Sequence, residues 1–230
     1  MSSSPSALNI LFSLDPALLA IVRLSLLVRL SAVFCAAMAR FPFGALIALT
    51  RFPGKSLLVV VLNAMMGLPP VVVGLAAYVV LSRSGPLGFA GLLFTPQAMI
   101  LAQTVLVFPI IASLCRQTVE DLWADYRDEL MAMDIGPVAR VATLVWEARF
   151  SLVTAILAGV GRAAAEVGAI IIVGGNIDGF TRTMTTAIAL ETSKGDLSLA
   201  LGLGTVLMAI IIAINAVAWL TRRAGQRLMQ

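Results

Sequence analysis

Histidine is absent from this chain of 230 residues, which closes several chemistries at once. A bis-histidine haem, a histidine-rich zinc site and a Ser-His hydrolytic pair all need an imidazole as ligand or base. Cysteine is nearly as scarce. Cys35 and Cys115 lie far apart in apolar runs, so neither a disulfide framework nor a thiolate metal site is expected, and both read as small buried hydrophobes. Charge is the third shortage, at 12% of residues against 60% hydrophobic, with a mean hydropathy of +1.01. A water-soluble domain of this length has too little interior to hide that much apolar surface, whereas a bundle facing lipid need not hide it. The class is therefore an all-α integral membrane protein, read as one transmembrane domain over 1–230 because no linker-like stretch divides it. The net charge of +4 then reads as loop charge that orients the chain in lipid, and no nucleic-acid partner is expected. A nucleotide site is also wanting. Gly54-Lys55-Ser56 has the tail of a phosphate loop, but the glycine needed five positions earlier is Leu49.

What the sequence does hold is long apolar runs. Five spans are expected, at about 30–49, 56–81, 96–114, 151–173 and 197–220. Ahead of them, 16–29 is interrupted by Arg23 and Arg29 and reads as an amphipathic elbow lying at the interface. Pro69 and Pro70 remove two adjacent donors within the second span and Pro109 removes one in the third, so all three are expected to act as structural kinks beside a cavity. A loop at about 115–149 differs in character. Glu120, Asp121, Asp125, Asp128, Glu129 and Asp134 crowd into it, while Leu122, Tyr126, Leu130 and Met133 recur at helical spacing. Short amphipathic helices outside the membrane are predicted there, stopped by Gly136 and Pro137.

Basic residues give the orientation. With the C-terminus inside, inner segments hold Arg51, Lys55, Arg116, Arg127, Arg140, Arg149, Arg222, Arg223 and Arg227, and outer segments only Arg23, Arg29, Arg83, Arg182 and Lys194. This excess expects the N-terminus outside and the acidic loop in the cytosol, in a multi-pass protein of the cytoplasmic (inner) membrane.

The fourth span carries Arg162 and Glu166, four apart and so on one face of a continuous helix, where they can pair. Charges within a span are costly and face a bundle interior or a solvated route. Two readings stand: a pathway charge that meets an anion, or a structural pair holding the span to a neighbour. Past the break at Gly174-Gly175-Asn176 lie Thr181, Arg182, Thr185 and Thr186. These are either donors at the outer mouth or threonines that merely cap and solvate a short helix.

These features resemble the permease subunit of ATP-binding-cassette importers of the type I fold, in the tungstate, molybdate and sulfate group. The likeness rests on Leu68-Pro69-Pro70-Val71-Val72-Val73-Gly74, on Gln103 to Pro109, and on the loop ending in Ile135-Gly136. It is strongest toward tungstate permeases, through Gly161-Arg162, Glu166-Val167-Gly168, Gly174-Gly175-Asn176-Ile177, Thr181-Arg182, Met184 to Ile188 and Glu191 to Gly195. Where the family carries Glu-Ala-Ala six residues before a glycine, this chain reads Leu130-Met131-Ala132 before Gly136, with Glu129 one position early.

The resemblance implies a homodimer with its pathway on the two-fold axis, two separate ATPase subunits below and an external oxyanion-binding protein above. It makes Arg162, Glu166, Asn176, Thr181, Arg182, Thr185 and Thr186 the candidate pathway residues. The coupling helix is expected near 121–133, with Asp128, Glu129, Leu130, Met133, Asp134 and Gly136 as its contacts to the ATPase. Tungstate is the first expectation for the substrate, with molybdate or sulfate as alternatives. A membrane scaffold or channel without ATPase partners is the second class, and an intramembrane enzyme the third.

Overall fold

The computed structural model describes residues 16–50 and 52–227, and among these every regular element is helical. The first helix, α1 (Pro16–Leu49), runs without interruption. No glycine or proline occurs between Pro16 and Pro42, so nothing local ends it, and the expected elbow over 16–29 is the upper part of this helix instead of a separate element. Arg51 lies outside the described residues, as do the side chains of Arg222 and Arg227.

The second apolar run is broken as its prolines require. Helix α2 (Lys55–Met66) stops, α3 (Pro70–Leu81) begins on the second proline, and the two are bent by 100°. A short 3₁₀ turn at Gly88–Ala90 follows. Helix α4 (Pro96–Ala132) then starts with Pro96 in its first turn and the Thr95 hydroxyl accepting from the Ala98 N–H, an N-cap that satisfies a donor left free at every helix start. Pro109 lies inside α4 without ending it.

The acidic segment corrects the expectation of separate short helices. Positions 110–132 contain no glycine or proline, and α4 carries straight on through them. At 1.5 Å per residue its 37 residues reach about 55 Å, nearly twice a hydrocarbon core of about 30 Å, so its acidic end projects beyond the apolar layer. Asp134, at φ 48°, and Gly136-Pro137 end it as expected.

Helices α5 (Pro137–Glu147) and α6 (Arg149–Ala164) meet at Ala148 with a bend of 69°. The fourth run does not cross as one helix either: α6 ends at Ala164, and α7 (Gly168–Gly174) resumes after a three-residue break. Helices α8 (Met184–Lys194) and α9 (Leu197–Arg227) complete the chain. By length and composition, α1, α4 and residues 197–220 of α9 are each able to cross a membrane, with up to two more crossings if each bent pair is one span.

Helix α4 is the central member, packed on α1, α2, α3, α5, α6 and α7. Small residues make the contact close: a Cβ on Gly159 would lie 2.9 Å from Val107 Cγ1, and one on Gly44 would lie 3.0 Å from the Ala112 carbonyl. Three apolar clusters stack along α4, around Met99 and Ile170, around Ile111 and Val160, and around Cys115 and Leu144. Near the last of these, Lys55 binds Glu120 at 3.1 Å and the Ala48 carbonyl at 2.9 Å, and Glu120 also holds Arg116. Helix α9 leaves Leu201, Met208, Ile212 and Val217 exposed, a face suited to lipid, and Arg223 lies 5.0 Å over Trp219, a pair suited to the headgroup region.

Candidate functional site

Two interrupted helices meet at the site. Because Pro69 and Pro70 carry no N–H, the ladder restarts with Val72 and Val73 both donating to the Pro69 carbonyl, at 3.0 and 3.3 Å. The Leu68 carbonyl receives its donor from elsewhere. Arg162, in the last turn of α6, reaches across and donates through Nη2 at 3.3 Å. Glycine permits the approach: a Cβ on Gly74 would lie 2.7 Å from Ala169 Cα, and one on Gly168 would lie 2.8 Å from Val71 Cγ2. The break in α2–α3 therefore sits against the break in α6–α7. Gln103, fully buried on α4, donates to the Ala163 carbonyl at 3.1 Å and so caps the end of α6 from below.

Arg162 and Glu166 do not pair, since no ion pair joins them among the described residues. Four-residue spacing brings side chains together only along an unbroken helix, and α6 ends between them. Glu166 is 4% exposed and its carboxylate accepts the Ala169 N–H at 2.9 Å. Arg162 is half-buried, and its Nε has no hydrogen-bond partner.

The threonines are also placed differently from the mouth expected of them. Thr181, Thr183, Thr185 and Thr186 are all buried, and their hydroxyls are used within the fold. Thr181 accepts from the Ile177 N–H at 2.9 Å and donates to the Gly174 carbonyl at 2.5 Å, closing the turn after α7. Thr186 accepts from the Thr183 N–H at 2.9 Å, within a reciprocal cap at the start of α8. Thr185 donates to the Glu166 carbonyl at 3.0 Å. Arg182 pairs with exposed Asp178 at 2.8 Å, and Asn176, at φ 50°, has a buried Oδ1 without a partner.

Two contributors were not expected. Ser25 and Arg29 lie one turn apart on α1, and both are buried. Ser25 Oγ accepts the Met184 N–H at 2.8 Å, and Arg29 Nη2 donates to Thr185 Oγ1 at 3.3 Å. A signal was present, because Ser25, Arg29, Ala32 and Ala36 form one helical face of small or polar residues, but two arginines in an apolar run read as an interfacial helix.

At the other end, Asp128, Glu129, Met133, Asp134 and Gly136 are exposed, whereas Leu130 is buried with Leu144, Ala148 and Leu152. Trp146 and Val138, on α5, are also exposed.

No family model matches the chain. Curated relatives do. A probable anion ABC transporter permease protein of Haloferax volcanii is 44% identical over 205 residues, covering 86% of this chain and 88% of the relative. The tungstate uptake system permease protein TupB of Peptoclostridium acidaminophilum is 39% identical over 93% of this chain and 94% of its own length. This chain belongs to the tungstate-type family of ABC transporter permeases. The protein of the same name from Campylobacter jejuni is 35% identical over 94% of the chain and 91% of its own length, while permeases of molybdenum transport systems match at 28 to 33%. The two facing helix breaks, with the Arg162 guanidinium between them, are the candidate site.

Proposed function

We propose that this chain forms the transmembrane pathway of an ATP-driven importer of tungstate. It works as a homodimer, with hydrolysis assigned to two separate ATPase subunits and capture to an external oxyanion-binding protein. The observation that carries this reading is Arg162, a permanent cation without a carboxylate partner among the described residues, held at the meeting of two interrupted helices. A guanidinium there lowers the barrier to a tetrahedral dianion, and its partial exposure leaves it within reach of one. Glu166, one break away, tempers the attraction so that the anion is released. The substrate is named from the two tungstate relatives; molybdate is the second reading, supported by the more distant ones.

In this reading the chain crosses the inner membrane five times, counting α2–α3 as one crossing and, in place of the bent pair α5–α6, α6 continued by α7 as another, with the N-terminus outside and the C-terminus inside. The upper part of α1 lies near the outer interface. Thr181, Thr185, Thr186 and Asn176 shape the pathway from behind by fixing α7 and α8, and Arg182 stands at its rim. The foot of α4 and the start of α5, with Asp128, Glu129, Met133, Asp134 and Gly136 on the surface and Leu130 beneath them, dock on the ATPase and transmit its closure. Reconstituting the chain with candidate ATPase and oxyanion-binding subunits, then measuring ATP-dependent uptake of tungstate, molybdate and sulfate into vesicles, tests the proposal. Uptake at full rate without any ATPase subunit, or none of these anions carried with all parts present, would overturn it.

A further inference from the structure

The network around Thr185 holds two buried charges of opposite sign, and among the described residues neither has an ion-pair partner. Arg29 is 5% exposed; its Nε lacks a partner and its Nη2 donates to the Thr185 hydroxyl at 3.3 Å. Glu166 is 4% exposed, and its backbone carbonyl takes that same hydroxyl at 3.0 Å while its carboxylate holds the Ala169 N–H. One hydroxyl thus joins α1, the first turn of α8 and the break between α6 and α7.

A lone charge in a low-dielectric interior is heavily penalised, and an opposite charge nearby relieves both. The sequence spacing nominated Arg162 for that part, but Arg162 turns to the Leu68 carbonyl and is only half-buried. The other side chains hydrogen-bonded into this network carry no charge: Ser25 is committed to the Met184 N–H and the Ile21 carbonyl, and Thr183 Oγ1 lies 3.4 Å from Thr185 Oγ1. We propose that Arg29 is the counter-charge of Glu166 and a positioning residue, which through Thr185 holds the start of α8 against the α6–α7 break. On the importer reading, on which this last role rests, it sets the outer end of the pathway and touches no substrate.

The test is a double-mutant cycle on the purified full chain in lipid nanodiscs, read by thermal unfolding. Arg29→Gln and Glu166→Gln each lower the midpoint, and the double variant lowers it by less than the sum because no unbalanced charge remains. The matching cycle with Arg162→Gln is additive. Additivity in the first cycle, or stronger coupling in the second, overturns the assignment. Where Arg29→Gln alone does not accumulate, the double variant must restore accumulation, and its failure to do so counts equally against it. In vesicles, Arg29→Gln and Thr185→Val cut the maximal rate of tungstate uptake by about tenfold, the scale of losing a charged hydrogen bond, with half-saturation unchanged, and Thr185→Ser restores it. A raised half-saturation at unchanged maximal rate would make Arg29 a substrate contact and overturn the positioning role. The unfolding cycle requires no transport, so a wild-type chain that carries no tungstate counts against the importer reading alone.

Discussion

Arg162 and Leu68 stand 94 positions apart, yet the guanidinium of the first donates to the carbonyl of the second at 3.3 Å. The end of one interrupted helix is thereby tied to the break in another, by a cation that no carboxylate among the described residues pairs with.

Replacing that cation separates the pathway reading from a structural one. Arg162→Gln is expected to reduce tungstate uptake by about tenfold or more, the scale of a lost charge-assisted hydrogen bond. Arg162→Lys, which keeps the charge, retains much of the rate. Because the side chain is half-buried, the unfolding midpoint of the purified chain should move little in either variant. A collapse of assembly in both would mean that the guanidinium serves the fold.

The close approach of α3 to α7 predicts a strict requirement for glycine. A methyl group at Gly74 would fall 2.7 Å from Ala169 Cα, a backbone atom that cannot turn aside, so Gly74→Ala should destabilise by about 1–3 kcal/mol, as overpacking does. Gly161 is the control. A Cβ there meets nothing within 4 Å, so Gly161→Ala should raise the melting midpoint slightly, alanine being the better helix former by about 0.5–1 kcal/mol.

At the foot of α4 the strained residue is not the glycine. Asp134 has φ 48°, while Gly136 sits at φ −64°, a value any residue adopts. Asp134→Val should therefore lose about 1–2 kcal/mol of stability, since a branched residue is penalised in the left-handed region, and Gly136→Ala should be neutral in thermal unfolding. If Gly136→Ala nevertheless loses co-purification with the ATPase, the glycine is read by the partner.

Orientation is tested by labelling. Cysteines placed at Asp128 and Ser193, both exposed, should react with a membrane-impermeant maleimide from opposite sides, Asp128→Cys only in inside-out vesicles and Ser193→Cys in intact cells. Labelling of both from one side would overturn the five-crossing arrangement.

Some of this architecture could be read from residues alone. Pro69-Pro70 had to break a helix because neither can donate, and Gly136-Pro137 had to follow a helix end. The path of α4 was not legible in the same way. Its change from apolar to acidic marks where lipid gives way to water, whereas helix continuation depends on backbone formers and breakers, and 110–132 contains no breaker. The pairing of Arg162 with Glu166 failed on a related point, since periodicity presumes an unbroken helix and no proline announces the gap after Ala164. Arg29 was missed, and the threonines were read as lying at an exposed mouth or helix cap, for a tertiary reason. Only the return of α8 into the bundle turns an arginine that looked interfacial, and hydroxyls that looked exposed, into one internal network.

Pro109 withdraws one N–H from the ladder of α4 nearer the start of that helix than its end. Roughly 9 Å of helix separates it from Gln103 above and about 35 Å from Ala132 below, at 1.5 Å per residue. Were α4 to rock there under the proposed ATPase stroke, the lever arms would act as reduction gearing, turning a sideways stroke of about 4 Å at the foot into about 1 Å at Gln103. That is the size of adjustment that makes or breaks a contact such as the one Gln103 holds to the end of α6.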